Sequence, residues 1–264
     1  LILPIEPPPR LLGISSSGRV ASLRWEFAGQ QPGSLERFLP TGLEGDPLVS
    51  IVELPEGDGS DLSLGLLSSD GRFKRLAMSE VLDLSGRATS VVKLKEGVEL
   101  ASALICREHS DLVLVSDLGR ILRLPVNETT LPLMGRLAQG PMTMRLLPGE
   151  QLVGAVCINV AEQDPSLFMV SGKGRMTRLD ITPLRRCQRG DLGCMGVTLG
   201  SNEDRIKGIS NGDALIGLIS DQNRRGRLET GQTVLSSLGG DFTDQLDQLR
   251  NGEVISCVIP LMRR

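Results

Sequence analysis

Tyrosine is absent from all 264 residues, and tryptophan and histidine occur once each. The first absence excludes any reaction in this chain that runs through a tyrosine nucleophile. The single histidine, His109, lies in Arg107-Glu108-His109-Ser110-Asp111. Catalytic triads are assembled across a fold, so these sequence neighbours do not supply one, and a solvated loop histidine is expected. Aromatic residues are only 2% against 40% apolar overall, so a core must be built from Leu, Val and Ile. No apolar run approaches the roughly 18 residues that a membrane-spanning helix needs. No GxxxxGK[ST] phosphate loop occurs; Gly172-Lys173-Gly174 is a fragment of one at a hairpin tip. Carboxylate pairs such as Glu203-Asp204 sit in polar stretches and read as solubilising. No catalytic centre, cofactor, metal, membrane contact or small-molecule substrate is expected.

The five cysteines are odd in number and scattered, which suits a reducing cytosol better than a disulfide framework. Cys106, Cys157 and Cys257 lie in apolar contexts that predict buried thiols. Cys187 and Cys194 are seven apart with no second pair, which argues against zinc. The chain begins at Leu1, not Met, and is expected to be a segment of a longer protein. Pro4, Pro7, Pro8 and Pro9 make residues 1–10 an extended leading strand or linker.

One nine-residue stretch is written five times. Ser68-Ser69-Asp70-Gly71-Arg72-Phe73-Lys74-Arg75-Leu76 has counterparts at residues 15–23 (SSSGRVASL), 116–124 (SDLGRILRL), 171–179 (SGKGRMTRL) and 220–228 (SDQNRRGRL). Each opens on Ser, closes on Leu and has Arg fifth; the fourth place is Gly18, Gly71, Gly119, Gly174 or Asn223. An apolar run precedes each copy, which is the signature of a β-hairpin. A two-residue turn is expected, with positive φ at the Gly or Asn.

The repeats step by 53, 48, 55 and 49 residues, the period of a propeller-type array of four-stranded blades. A Gly-acidic step into another apolar strand recurs at Gly45-Asp46, Gly97-Val98-Glu99, Gly149-Glu150, Gly212-Asp213 and Gly252-Glu253. Five hairpins and five returning strands predict one all-β, five-bladed domain with no long helix. Its repeats fall at about 11–59, 60–109, 110–163, 164–213 and 214–262.

The net charge is −3, but its arrangement is not acidic throughout. Arg19, Arg72, Arg120, Arg175 and Arg224 directly follow the turns, with Lys74, Lys173 and Arg225 beside them and Arg189 in the Gln188-Arg189-Gly190 stretch of the fourth repeat. These are the candidate phosphate contacts. Arg75, Arg123, Arg178 and Arg227 lie three residues further on and point to the opposite face, where they are expected to cover apolar surface or pair with acidic loops. Acidic residues cluster in the first and fifth repeats, and residues 241–249 (DFTDQLDQL) fit a short amphipathic helix. The middle blades would hold a polyanion best.

The hairpin repeat, the stretch Gly86-Arg87-Ala88-Thr89-Ser90-Val91-Val92-Lys93-Leu94 and the stretch Gly135-Arg136-Leu137-Ala138-Gln139-Gly140-Pro141 resemble the C-terminal domain of DNA gyrase A and its topoisomerase IV counterpart. In that family each blade ends on an R-x-x-x-G step, a strand and G-[DE]-x-L-[VI]. The resemblance covers essentially the whole chain. It implies a β-pinwheel whose blades exchange strands and whose basic rim bends double-stranded DNA without regard to sequence. The cleavage core with its tyrosine, in the remainder of the gyrase A polypeptide, would be one further partner. The ATPase subunit, reached through that core, would be the other.

Two departures stand out. Gyrase domains of the family usually carry six blades, and a seven-residue box, Q-[RK]-R-G-G-[RK]-G, in the first. Here Gly29-Gln30-Gln31-Pro32-Gly33-Ser34 keeps little of it. The nearest likeness is Cys187-Gln188-Arg189-Gly190-Asp191-Leu192-Gly193, which keeps Arg189, Gly190 and Gly193 in register but puts Asp191 in the middle. The competing reading is a propeller-like protein-interaction module that has lost DNA wrapping.

Overall fold

Five chain reversals use one turn, and the Ser-x-x-Gly-Arg spacing explains why. We describe residues 10–23, 39–84, 86–201, 203–247 and 249–261 of a computed structural model. The N–H groups of Gly18, Gly71, Gly119 and Gly174 each donate to the carbonyl of the serine three residues earlier at 3.0 Å, and Asn223 does so at 2.9 Å. Their φ angles are 77°, 86°, 86°, 77° and 59°, as the turn reading predicts. A side chain in this left-handed region presses Cβ against the following carbonyl, so Gly is favoured and Asn tolerated.

The expected two-residue turn is corrected to a three-residue loop. Regular pairing stops at Ile14↔Val20, Leu67↔Phe73, Val115↔Ile121, Val170↔Met176 and Ile219↔Arg225. Inside those pairs the Ser68 N–H donates to the Arg72 carbonyl at 2.9 Å, and Ser220 to Arg224 at 3.0 Å. Such a loop needs one left-handed residue rather than two, which is why only one Gly recurs. The serine supplies the missing acceptor. Its Oγ takes the N–H of Arg19, Arg120, Arg175 or Arg224 at 3.1–3.2 Å, and no hairpin serine is more than 5% exposed. A buried hydroxyl must find a partner, and the neighbouring turn provides it.

The chain divides into two compact units. The first runs to His109 and adds Val126–Thr143; the second holds Ser110–Pro125 and everything from Met144 onward. In the first unit, β1 (Leu11–Ser15), β2 (Arg19–Ser22) and β3 (Leu48–Glu53) form one sheet. The next sheet contains β4 (Leu62–Ser68) and β5 (Phe73–Ala77). After a single turn, α1 (Ser79–Leu82), the strand β6 (Thr89–Ser90) pairs back onto β2, and β7 (Leu100–Arg107) completes the second sheet beside β4.

The second unit holds three sheets. The first is β8 (Asp111–Ser116), β9 (Arg120–Pro125) and β10 (Leu152–Ile158). The second is β11 (Ser166–Ser171), β12 (Arg175–Asp180) and β14 (Ile206–Asn211), with β13 (Cys194–Met195) crossing back to β9. The last is β15 (Leu215–Ser220), β16 (Arg225–Glu229) and β19 (Ile255–Leu261); β17 (Leu235–Ser236) and β18 (Asp244–Gln245) return to β12.

The outer edge of one hairpin is therefore covered by chain from the next repeat, at β2, β9 and β12. At β5 the same place is taken by single bridges, Arg75↔Leu133 and Arg72↔Met142. Five sheets, one per repeat, give the all-β, five-bladed fold expected, although the second and fifth have three regular strands instead of four.

Strand interiors explain the continuous apolar runs. Leu112, Val113, Leu114 and Val115 are all 0% exposed, because a hairpin strand flanked on both faces cannot alternate. The aliphatic core follows: Leu12, Ile14, Leu64, Leu66, Val91 and Leu100 in the first unit, and Val113, Val115, Ile121, Leu167 and Leu179 in the second. Each such side chain stabilises the fold by about 1.5–3 kcal/mol.

Three expectations are corrected. The fourth returning strand is not the Gly212-Asp213 step. It is β14, three residues after Glu203, and Gly212 lies where an added Cβ would come within 1.8 Å of Ser166 Oγ. The described residues of 241–249 form no helix, because Asp244 and Gln245 join β12 as a short antiparallel strand. Cys106 is buried as expected, but Cys157 is half-buried and Cys257 exposed, on β10 and β19, most of whose described residues are only partly covered. His109 is exposed, with φ 66°. Among the described residues no helix is long and apolar enough to cross a membrane. Residues 1–9 of the leading segment and the stretch 29–34 lie outside the described residues.

Candidate nucleic-acid interface

The turn arginines do not form one uniform exposed set. Arg120 is 7% exposed, and its guanidinium grips Glu150 with both carboxylate oxygens, Nε to Oε1 at 2.8 Å. It also donates to the Arg145 carbonyl at 3.1 Å and to the Leu192 carbonyl. Burial pushes the Glu150 carboxyl up, but hydrogen bonds from Arg120, the Leu147 N–H and Ser116 outweigh it and hold the group below the usual range. Lys74 is 1% exposed and donates to the Val91 and Arg136 carbonyls, both at 2.6 Å. The expectation that these two cations sit at an open rim is corrected. In each case one carbonyl acceptor, Arg136 or Leu192, lies on chain crossing over from the next repeat, and the other, Val91 or Arg145, lies further along the cation's own repeat.

Arg72 is half-buried between Asp70 Oδ2 at 3.2 Å and the Gly140 carbonyl at 3.0 Å. Arg175 stacks on the Phe242 ring at 5.1 Å, and Arg19 lies against Gly42. Arg224 is 41% exposed and pairs with Glu253 at 2.7 Å. Hydrogen bonds from Ser220 and the Arg250 N–H, with the Arg224 guanidinium beside them, hold the Glu253 carboxyl down at about 2. Lys173, Arg189 and Arg225 are exposed, with Lys173 reaching Glu203 loosely at 3.8 Å.

The second arginine set behaves as the face alternation predicts. Arg75 bonds Ser63 Oγ at 3.1 Å, the Leu131 carbonyl at 2.8 Å and Glu108 at 2.5 Å. Arg123 takes Asp111 at 2.5 Å and the Ile181 and Leu184 carbonyls at 2.6 and 2.7 Å. Arg178 joins Ser166 Oγ at 2.9 Å and the Gly231 carbonyl at 3.2 Å. Each clasps the chain entering the next repeat. Arg227 alone of this set is exposed.

Residues 188–193 stand out as a loop with a rigid base that carries one cation, Arg189, and one anion, Asp191. Gly190 and Gly193 have φ of 82° and 75°. Gly193 passes so close to β9 that an added Cβ would lie 2.3 Å from the Ile121 carbonyl oxygen. The Asp191 carboxylate accepts the Gln188 N–H at 2.9 Å, so it shapes the loop from within. Arg145 donates to the Gly190 carbonyl, and Arg120 holds Leu192 from below. Around it Arg145, Arg185, Arg186 and Arg189 are exposed. Sequence reasoning misses Arg145, Arg185 and Arg186, because they lie on the crossing segments and not beside the turns. The R-x-x-x-G step, Arg186 to Gly190, is the signal that marks them.

The family model described as "DNA gyrase C-terminal domain, beta-propeller" matches residues 66–107, 110–159 and 165–220, over half of the chain. The chain belongs to the DNA gyrase A C-terminal domain family. The A subunit of DNA gyrase from Ureaplasma parvum is 30% identical over 208 residues, 73% of this chain and 24% of the relative. The A subunit of DNA topoisomerase 4 from Synechocystis is 29% identical over 206 residues, 71% of this chain and 22% of the relative. The chain thus spans under a quarter of these relatives' length. A solved gyrase A C-terminal domain superposes with a TM-score of 0.77 at 19% identity, covering 96% of this chain and 82% of that one. A topoisomerase IV C-terminal domain gives 0.73 at 17%, covering 94% and 78%. At such identities the likeness shows the fold of the family, not its contacts.

Lys74 gives this fold a pH signature. Burial pushes its amine from 10.5 down to about 8, against a small opposing pull from Glu80. Between those values the unfolded chain binds the proton and the folded chain does not, so unfolding free energy rises with pH across the window from about 8 to 10.5. Urea titrations of the wild type should show that rise, and Lys74→Met should lack it. Parallel curves for the two proteins would contradict the assignment.

Proposed function

We propose that this domain binds double-stranded DNA through its phosphates and bends it, as an accessory domain of the A subunit of a type IIA topoisomerase. The remainder of that polypeptide would be one protein partner, and the ATPase subunit, reached through it, the other. The observation that carries the reading is the loop at residues 188–193, where Arg189 is exposed on a base pinned by Arg120 and Arg145. A backbone-fixed loop with exposed guanidinium groups suits phosphate oxygens, which offer charge and shape but no base code. The hairpins offer no helix for a major groove, which supports sequence-independent contact.

Accessibility divides the candidates. Lys173, Arg189, Arg224 and Arg225 are open to a phosphate, with Arg19, Arg72 and Arg175 partly so; Lys74 and Arg120 serve the fold. Each phosphate contact adds about 0.9 to the slope of log K against log salt. Arg189→Ala and Arg225→Ala should each flatten that slope by about 0.9 on unrelated duplexes alike. Unchanged slopes in both, with the variants folded, would favour the protein-interaction module instead.

A further inference from the structure

The dipeptide Asn-Gly occurs twice, at residues 211–212 and 251–252. Asparagine before glycine is open to an internal reaction, because no side chain on the following residue shields its backbone nitrogen. The fold treats that nitrogen differently at the two places. Just past β14, the Gly212 N–H donates to the Ser166 carbonyl at 2.7 Å, and an added Cβ would lie 1.8 Å from Ser166 Oγ. Asn211 is itself paired with Leu167, and its carbonyl accepts the Thr230 hydroxyl at 3.0 Å. That amide is held and covered.

Residues 250–253 are the opposite case. The Glu253 N–H donates to the Arg250 carbonyl at 3.0 Å around Gly252, whose φ is 80°. The same turn recurs at residues 43–46, 95–98 and 147–150, around Gly45, Gly97 and Gly149 at φ 74°, 73° and 79°. In all four the glycine N–H donates to no described residue, and nothing lies within 4 Å of an added Cβ. The residue before the glycine is Glu44, Glu96, Pro148 or Asn251. Of these turns only the fifth repeat's sets an amide side chain beside an open glycine nitrogen, and Asn251 and Gly252 are both exposed.

We propose that Asn251 is a site of spontaneous deamidation in the folded chain. The Gly252 nitrogen loses its proton and attacks the Asn251 side-chain carbonyl carbon, and the side-chain nitrogen departs as ammonia. Water then opens the resulting five-membered imide at either carbonyl, leaving aspartate or isoaspartate. In sum, amide plus water becomes acid plus ammonia, with no oxidant or reductant. Glu44 and Glu96 hold carboxylates at the same place in their turns, so the aspartate product fits the fold. The isoaspartate product adds an atom to the backbone between Arg250 and Glu253, whose hydrogen bond closes the turn. The reaction needs no DNA, so it stands apart from the proposed function.

The test incubates the whole chain, folded, at mildly alkaline pH and then cuts it after its lysines. The fragment 208–264 carries both sites, and tandem mass spectrometry locates each amide-to-acid conversion. Residue 251 should convert to both products, and residue 211 should lag by about tenfold or more, because it reacts only when its hydrogen-bonded segment opens. In urea the two sites should convert alike, and Asn251→Gln should lose the conversion at 251. Equal conversion at 211 and 251 in the folded chain would overturn the proposal. So would conversion at 251 no faster than at Asn127 or Asn159, which no glycine follows, or a residue 211 that stays intact in urea.

Discussion

Replacing Arg120 with Met should destabilise the domain by about 3–5 kcal/mol, the cost of removing one member of a buried ion pair. The Glu150 side chain is 0% exposed, so its carboxylate would remain in the interior without a counter-charge. It would then protonate or draw in water, and two carbonyls, of Arg145 and Leu192, would lose their donor. The double variant Arg120→Met/Glu150→Leu should recover much of the loss, because two apolar groups of similar size carry no uncompensated charge. Urea unfolding of the four proteins in that cycle measures both effects. A single-variant loss below about 1 kcal/mol, the size of an exposed pair, would mean that Arg120 is far more solvated than its surroundings imply.

Gly193→Val should be comparably damaging for a different reason. The left-handed φ of 75° strains a β-branched residue, at about 1–3 kcal/mol. The added Cβ would also approach the Ile121 carbonyl oxygen to 2.3 Å. That oxygen is backbone in a paired strand and cannot rotate away, so overpacking adds about 1–3 kcal/mol more. Gly149→Val separates the two effects. Its φ is 79°, but nothing lies within 4 Å of the added Cβ, so it should show the backbone strain alone. Equal losses at the two positions would mean that the loop does not press against β9.

The hairpins are legible in the sequence because each carries its own instructions within nine residues. A left-handed residue, a serine acceptor and an apolar strand are local requirements, and the chain repeats them in phase. What is not legible depends on chain from the next repeat. Arg120 and Arg224 occupy the same place after equivalent turns, but β13 crosses over β9, whereas no strand among the described residues pairs with the outer edge of β16. One guanidinium is therefore buried and the other exposed, with nothing local to tell them apart. Lys74 escapes a local reading because its acceptors lie 17 residues away in its own repeat, at Val91, and 62 residues away in the next, at Arg136. The fourth returning strand is hidden because its acidic residue, Asp204, has no glycine before it. Asp204 accepts the Lys173 N–H at 3.1 Å, much as Asp46 accepts that of Ser17 at 3.4 Å. At the third and fifth repeats Glu150 and Glu253 instead take the turn arginines Arg120 and Arg224, so the acidic residue recurs in more than one role and the glycine before it is dispensable.

Whether the domain bends duplex DNA through exposed phosphate contacts can be read from plasmid topology. A nicked plasmid would be sealed by ligase in the presence of increasing amounts of the domain, stripped of protein, and its linking-number distribution read on a gel. The whole distribution should shift progressively in one direction, by less in an Arg189→Ala/Arg225→Ala variant, and regardless of the plasmid's sequence. A distribution identical to the protein-free control at saturating domain would contradict the proposed bending.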